Sequence, residues 1–236
     1  MKYLLLYIYT IVSYSILYIL TFLGSVLVLL LYPFGFRKTI RNLLALWARG
    51  TFVILAKRFT IKGKENINKD RNYILMANHS SIFDIMGIMS ICPNIAWFGR
   101  AHLLKIPVFG KLLQSINYIP METRDLRNTK LMIEKLVKNT KNQTVAIFPE
   151  GTRTVNGELA PFRKGFLHVM KASKLDILPV SLIGFYKFKP KNRFYFNYSE
   201  KLSAKVHRPI PYDELKNLTD QEIIERVKTT IESALF

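Results

Sequence analysis

The sequence of 236 residues has a single cysteine and few acidic residues. One cysteine excludes an intrachain disulfide and any zinc or iron–sulfur site built from several thiolates of one chain. Only 16 acidic residues face 35 basic ones, so the formal net charge is +19, and this indicates an anionic partner. Glycine is too scarce for a collagen repeat. Because 50% of the residues are hydrophobic, the composition also excludes a disordered chain.

Charge is missing altogether from the first part of the chain, where no charged residue occurs between Tyr3 and Phe36. As one helix, the uncharged run within this apolar leader, residues 1–36, would be about 51 Å long, whereas the hydrocarbon core of a bilayer is about 30 Å thick. A tilted span with an interfacial extension and two short helices broken near Gly24 and Ser25 are both possible. The run is too long for a cleaved signal peptide, whose apolar region has roughly 7–15 residues. We therefore expect residues 1–36 to be embedded in a membrane.

Basic residues follow the leader at once. They are Arg37, Lys38, Arg41, Arg49, Lys57 and Arg58. By the positive-inside bias they place the remainder of the chain at the cytoplasmic face of the inner or plasma membrane. Apolar residues are interleaved with them, so residues 37–60 are predicted to form a basic amphipathic helix on the membrane or against the body. Anionic lipids are the expected partners, because a nucleic-acid-binding protein has little use for an apolar leader.

Short apolar strands alternate with helical patterns in the third predicted unit, residues 61–236. Strands are predicted just before Gly63 and at 73–77, 144–148, 177–185 and 194–198. Helices are predicted at 81–91, 126–137 and 165–173, and from a capping box of Thr219 and Glu222 onward. The alternation predicts an α/β domain, a mixed sheet covered by helices.

A polar segment, NHSSIFD at 78–84, directly follows one predicted strand. Side chains five residues apart lie on different faces of a helix, so His79 and Asp84 can meet if His79 precedes the helix and Asp84 lies in its first turns. Asp84 would then fix the imidazole tautomer and leave the other ring nitrogen as a base facing a hydroxyl. The segment also suits a simple capping turn, because Asn78 and Ser80 are good N-cap residues.

A second segment, FPEGTR at 148–153, directly follows another apolar strand. Ligands of α/β sheets gather outside the carboxyl ends of the strands. Glu150 can hold Arg153, whose guanidinium can then clamp a phosphate with two hydrogen bonds, and Gly151 lets backbone approach the ligand closely. The alternative is a strand-ending turn that carries an ordinary surface ion pair.

Together, the NHSSIFD and FPEGTR segments resemble the first and third motifs of the glycerolipid acyltransferase family. The resemblance extends from about residue 61 to 180 and includes IKGKENI, HLLKIPVFGKLL, FRKGF and ILPVSLIG. It implies that His79 is the base on the acceptor's hydroxyl and that Asp84 orients it. The alkoxide then attacks the acyl thioester directly, without an acyl-enzyme. It further implies acyl-CoA or acyl-acyl carrier protein as the donor substrate, with no cofactor and no metal.

The same resemblance implies a site for the phosphate of the acceptor. Its residues are Glu150, Gly151, Thr152, Arg153, Lys105 and Arg124. The second motif of the family usually ends in an acidic residue followed at once by arginine. Here Thr123 separates Glu122 from Arg124, so the arginine is shifted by one position.

The sequence thus predicts a membrane O-acyltransferase of phospholipid biosynthesis. It would acylate the free sn-2 hydroxyl of 1-acylglycerol 3-phosphate, or lysophosphatidic acid, to give phosphatidic acid. The alternatives are another acceptor (glycerol 3-phosphate, a lysophospholipid or a lyso-aminolipid) and a lipid-binding membrane protein without catalysis. The sequence has neither G-x-S-x-G nor G-x4-G-K-[ST], which argues against a serine hydrolase and a P-loop nucleotide site.

Overall fold

The computed structural model of the protein describes residues 2–106, 109–115, 118–121 and 143–235. Two of the sequence predictions, the helix at 126–137 and the phosphate ligand Arg124, lie outside these residues.

The described residues form a mixed seven-stranded sheet in the order β1-β7-β6-β2-β5-β3-β4. Its strands are β1 (Phe59–Lys62), β2 (Ile74–Ala77), β3 (Ile95–Arg100), β4 (Ile119–Met121), β5 (Thr144–Ile147), β6 (Ile177–Ile183) and β7 (Leu202–Val206). The five strands from β6 to β4 run parallel. β7 is antiparallel to β6 and parallel to β1. The prediction of a mixed α/β sheet is therefore confirmed.

Helices cover both faces of this sheet. They are α1 (Lys2–Leu31), α2 (Arg37–Ile54), α3 (Asp84–Ile91), α4 (Phe109–Ser115), α5 (Gly165–Ser173), α6 (Phe185–Phe188), α7 (Tyr212–Leu215) and α8 (Asp220–Glu232). Short 3-10 turns lie at Tyr32–Phe34, Lys64–Asn66 and Ala101–Lys105. α8 begins at the predicted capping box, in which Thr219 and Glu222 bond to each other's backbone N–H.

The side chains of β2 show how the two faces are filled, because successive residues of a strand point to opposite sides. Leu75 and Ala77 belong to a buried cluster that also contains residues of α2, α3 and α6. Ile74 and Met76 belong to the cluster formed with α5, α7 and α8. All four residues are fully buried, so β2 lies at the centre of a three-layered domain.

The leader folds mainly as one long helix. α1 has 30 residues, which corresponds to about 45 Å, and it continues unbroken through Gly24 and Ser25. Of the two predicted arrangements, the pair of short helices broken at this point is wrong. The chain turns at Gly35, whose φ of 74° favours glycine, and enters α2. Because Trp47 Nε1 donates to Thr21 Oγ1 at 3.0 Å, α1 and α2 form an antiparallel hairpin.

The predicted strand at 194–198 is wrong, since this segment has no regular secondary structure. Its backbone and aromatic side chains instead pack against the first half of α1. The N–H of Phe196 donates to Thr10 Oγ1 at 3.1 Å, and the hydroxyls of Ser13 and Tyr198 lie 3.0 Å apart. The ring centroid of Phe196 is 4.7 Å from that of Tyr14. The alternating aromatic residues of this segment therefore pack against α1 instead of forming a strand.

Candidate active site

The NHSSIFD and FPEGTR segments leave the sheet side by side. β2 and β5 are parallel neighbours, and Met76 lies opposite Ile147 in their register. The two segments begin directly after these strands, so both lie at the carboxyl edge of the sheet. This edge is where ligands of parallel α/β sheets bind.

His79 and Asp84 are in direct contact. His79 Nδ1 lies 2.9 Å from Asp84 Oδ2, and Asp84 is the first residue of α3, as the five-residue spacing requires. The same oxygen accepts the backbone N–H groups of Ser80 at 2.6 Å and Ser81 at 2.7 Å. A carboxylate held by these donors accepts the proton of Nδ1. This network assigns the tautomer in which Nε2 carries a lone pair and can act as a base.

The imidazole plane is fixed by an aromatic stack. The ring of His79 lies 4.0 Å from that of Phe148, with an interplanar angle of 11°. Phe148 in turn stacks on buried Trp97 at 5.7 Å. The His79 side chain keeps 16% of its surface exposed, which leaves it an open side toward a substrate. The sequence did not predict that Phe148 and Trp97 support the imidazole, although Phe148 is the first residue of the FPEGTR segment.

The carboxylate of Glu150 accepts hydrogen bonds from backbone N–H groups rather than from Arg153. Its Oε1 accepts the N–H of His79 at 2.6 Å, and its Oε2 accepts the N–H of Ala160 at 2.9 Å. The predicted pairing of Glu150 with Arg153 is therefore wrong, because both carboxylate oxygens are used to join loops. Burial raises the pKa of Glu150 to about 7, and the nearby charge of Asp84 adds to the effect. Its role in this geometry is to position His79.

Further hydrogen bonds fasten the NHSSIFD segment to its neighbours. The N–H of Thr154 donates to the carbonyl of His79 at 2.9 Å. The Asn78 side chain bonds like a peptide group to Leu182 of β6, donating to its carbonyl at 3.0 Å and accepting its N–H at 2.7 Å. Asn78 is thus a bridge between strands, rather than the helix cap that the sequence also allowed.

The other predicted phosphate ligands that lie within the described residues are in loops at the same edge of the sheet. Thr152 is exposed and Arg153 half-buried, both in the loop after β5. Lys105 is exposed at the end of the 3-10 turn that follows β3. Gly151 has a φ of 71°, and a Cβ there would lie 2.8 Å from Arg163 Nε. The lack of a side chain at Gly151 therefore makes room for Arg163, whose Nε donates to the carbonyl of Glu150 at 3.3 Å.

Residues 58–183 match the family model described as Acyltransferase. A 1-acyl-sn-glycerol-3-phosphate acyltransferase of Borreliella burgdorferi is 29% identical over 199 residues, covering 79% of this chain and 76% of that protein. One from Cocos nucifera is 28% identical over 214 residues, covering 88% of this chain and 68% of that protein. The chain spans a smaller share of chloroplast relatives, and it covers 56% of the length of the chloroplastic 1-acyl-sn-glycerol-3-phosphate acyltransferase of Arabidopsis thaliana.

A solved structure has the same fold along the whole chain. The crystal structure of PlsC, the 1-acyl-sn-glycerophosphate (LPA) acyltransferase from Thermotoga maritima, superposes with a TM-score of 0.80 at 28% identity. The match covers 100% of this chain and 97% of that one. The similarity therefore includes the N-terminal helices as well as the sheet.

Proposed function

Because the chain belongs to the acyltransferase family, we propose that it transfers a fatty acyl group from a thioester to the sn-2 hydroxyl of lysophosphatidic acid. The product is phosphatidic acid. The observation that carries the proposal is the contact of His79 with Asp84 at the edge of the sheet, beside the loop that bears Arg153. The names of the relatives support lysophosphatidic acid as the acceptor.

His79 is the general base in this reaction. Its Nε2 takes the proton of the sn-2 hydroxyl while the hydroxyl oxygen attacks the carbonyl carbon of the thioester. The tetrahedral intermediate collapses as the carbon–sulfur bond breaks, and the imidazolium returns the proton to the thiolate. Buried Asp84 keeps Nδ1 protonated throughout and stabilises the imidazolium. General-base catalysis of this kind contributes roughly 10²–10⁴-fold to the rate.

Arg153 is the proposed anchor for the phosphate of the acceptor. A guanidinium and a phosphate form paired charge-assisted hydrogen bonds, which fix orientation as well as distance. Thr152, Lys105 and Arg124 are proposed to complete the phosphate site. Glu150 and Gly151 support it through the loop rather than by touching the phosphate, because their contacts are with backbone and with Arg163.

The helical hairpin is the proposed membrane anchor. Leu4–Phe34 is long and apolar enough to cross a bilayer, and most of its surface is exposed. Apolar residues of α2, Leu46 and Val53, are 68% and 77% exposed as well. α1 contacts the body through the 194–198 segment and is bonded to α2 at Thr21. If α1 crossed the bilayer upright, these contacts would pull the charged domain into the membrane. We therefore infer that both helices lie in the cytoplasmic leaflet, with residues 61–236 as the acyltransferase domain.

A purified-enzyme assay tests the function directly. Wild type in lipid–detergent micelles is assayed with labelled lysophosphatidic acid and either acyl-CoA or acyl-acyl carrier protein, beside glycerol 3-phosphate and a lysophospholipid. We expect phosphatidic acid as the product, and its loss in His79→Ala. His168→Ala, an exposed histidine of α5, is the matched control with unchanged activity. Full activity of His79→Ala would end the assignment, and faster acylation of another acceptor would replace the substrate.

A further inference from the structure

Lys189 is a buried cation that the motifs do not include. It follows α6 directly and is only 8% exposed. Its Nζ donates to the carbonyl of Pro190 at 3.0 Å. Among the residues that the structure describes, no carboxylate lies within ion-pair distance of this nitrogen. Burying a cation without an opposite charge is costly, so an anionic ligand would relieve this arrangement.

Lys189 is fixed to the turn that carries the catalytic pair. Ser81 Oγ donates to the carbonyl of Lys189 at 2.7 Å, and the N–H of Ser81 donates to Asp84 Oδ2 at 2.7 Å. The ring of Phe188, the preceding residue, packs edge-on against Phe83 at 5.6 Å. The backbone of Lys189 is therefore hydrogen-bonded to the segment that positions the base.

Other cations act on Lys189. Burial lowers its pKa, and the positive charges of Arg153 and then Arg193 lower it further. Arg193 is engaged elsewhere, since its Nη2 donates to the carbonyls of Lys187 and Phe188 at 2.6 Å. The charge of Arg153 thus reaches Lys189, whose backbone is bonded to the catalytic turn. A phosphate monoester, with close to two negative charges, neutralises such a pair.

We propose that Lys189 is a ligand of the acceptor's phosphate, beside Arg153, and that it sets the preference for phosphorylated over uncharged acceptors. The proposal rests on the proposed function and adds a residue from the segment that follows β6 and α6. The neighbouring lysines do not share its position, since Lys187 and Lys191 are exposed.

The test compares two acceptors that differ only in the phosphate. The ratio of kcat/KM for lysophosphatidic acid to that for monoacylglycerol of the same chain length is measured for wild type, Lys189→Gln and Lys191→Gln. We expect the ratio to fall about ten-fold or more in Lys189→Gln, through a higher KM for lysophosphatidic acid, because a charge-assisted contact is lost. Lys191→Gln should keep the wild-type ratio, and Lys189→Arg should keep most of it.

The ratio is independent of the fraction of active enzyme, because both acceptors are measured on one preparation. Should Lys189→Gln fail to fold, Lys189→Met removes the charge while keeping the packed aliphatic stem. Wild type without activity on lysophosphatidic acid would refute the proposed function. Active wild type with an unchanged ratio in the charge-free variant, or an equal loss on both acceptors, would overturn the role of Lys189 alone.

Discussion

The backbone N–H of His79 donates to the side-chain carboxylate of Glu150 at 2.6 Å, from the loop after β2 to the loop after β5. The second oxygen of Glu150 accepts from Ala160 at 2.9 Å, so one buried carboxylate joins three pieces of chain. Glu150 therefore holds the backbone of His79, and we expect it to act on catalysis through the placement of His79 rather than by touching the substrate.

Replacing Glu150 by glutamine keeps the size of the side chain but turns one acceptor into a donor. The new amide group must then face one of the two N–H donors, which leaves a buried group unsatisfied at a cost of roughly 1–3 kcal/mol. We expect Glu150→Gln to lower both the thermal midpoint and kcat, the latter at least ten-fold. Exposed Glu65→Gln is the control. A variant with wild-type kcat would show that this junction does not position the base.

Asp84 is tested by a substitution that keeps its shape. In Asp84→Asn the side-chain oxygen can still accept from Ser80 and Ser81, but the negative charge that fixes and supports the imidazole is gone. We expect kcat to fall by roughly 10²–10⁴-fold with a small change in KM for the donor. Exposed Asp70→Asn should behave as wild type. If Asp84→Asn retains more than a third of kcat, Asp84 is a structural cap only.

Membrane attachment is tested on the outer face of α1. Leu23 and Leu30 are 56% and 62% exposed, so glutamate at both positions puts charge where lipid is expected. A charge costs up to about 2.5–3.5 kcal/mol at the bilayer centre and less nearer the surface, and we expect a smaller share of the protein to sediment with anionic vesicles. Ser13→Ala, which loses only the contact with Tyr198, is the control. Unchanged sedimentation of the double variant would place the anchor elsewhere.

Deletion of the whole leader is a poorer test of attachment. Leu17 and Val28 of α1 are 8% and 2% exposed, and Thr10 is fully buried. Removing them opens the core beneath α1, so loss of activity would report unfolding as well as release from lipid.

His207 predicts how stability depends on pH. Its Nε2 lies 2.8 Å from Ser181 Oγ, which donates to the carbonyl of Ile231, so the neutral ring joins β7 to α8 through β6. Burial lowers the pKa of His207 to about 4, and Lys205 adds to the effect. A lowered pKa means that the folded state favours the neutral ring. This contribution is present above pH 6.5 and is lost as the pH falls toward 4.

We therefore expect wild type to lose on the order of 2 kcal/mol more than His207→Gln between pH 6.5 and 4, after allowing for residual solvent contact. Thermal midpoints in detergent across this range measure the difference. Glu150, whose raised pKa acts in the opposite direction, is present in both proteins and cancels. Parallel pH profiles of the two proteins would show that His207 does not titrate with unfolding.

Much of the site follows from local sequence. A spacing of five residues lets His79 reach Asp84 only across a helix start, and the structure has a helix start there. Segments that directly follow parallel strands lie at one edge of the sheet, and β2 and β5 are parallel neighbours. These predictions succeed because chain geometry alone decides them.

Partners that depend on packing could not be predicted in this way. Arg153 is three residues from Glu150, but backbone donors from 79 and 160 occupy that carboxylate. The alternation of aromatic residues at 194–198 is typical of a strand, but a loop that packs aromatic rings against a helix has the same pattern. The pattern reports which residues are buried and not which backbone conformation buries them. Lys189 belongs to no motif, and only the tertiary fold puts it next to Ser81 of the catalytic turn.

His79 is held through both its N–H and its carbonyl by residues of the loop that follows β5. An insertion or deletion in either loop would shift one of these bonds out of register and displace the imidazole with it. The lengths of the two segments must therefore change together or not at all. Fixed spacing of the two segments, together with His79 and Asp84, is the mark by which this candidate site should be sought in distant sequences.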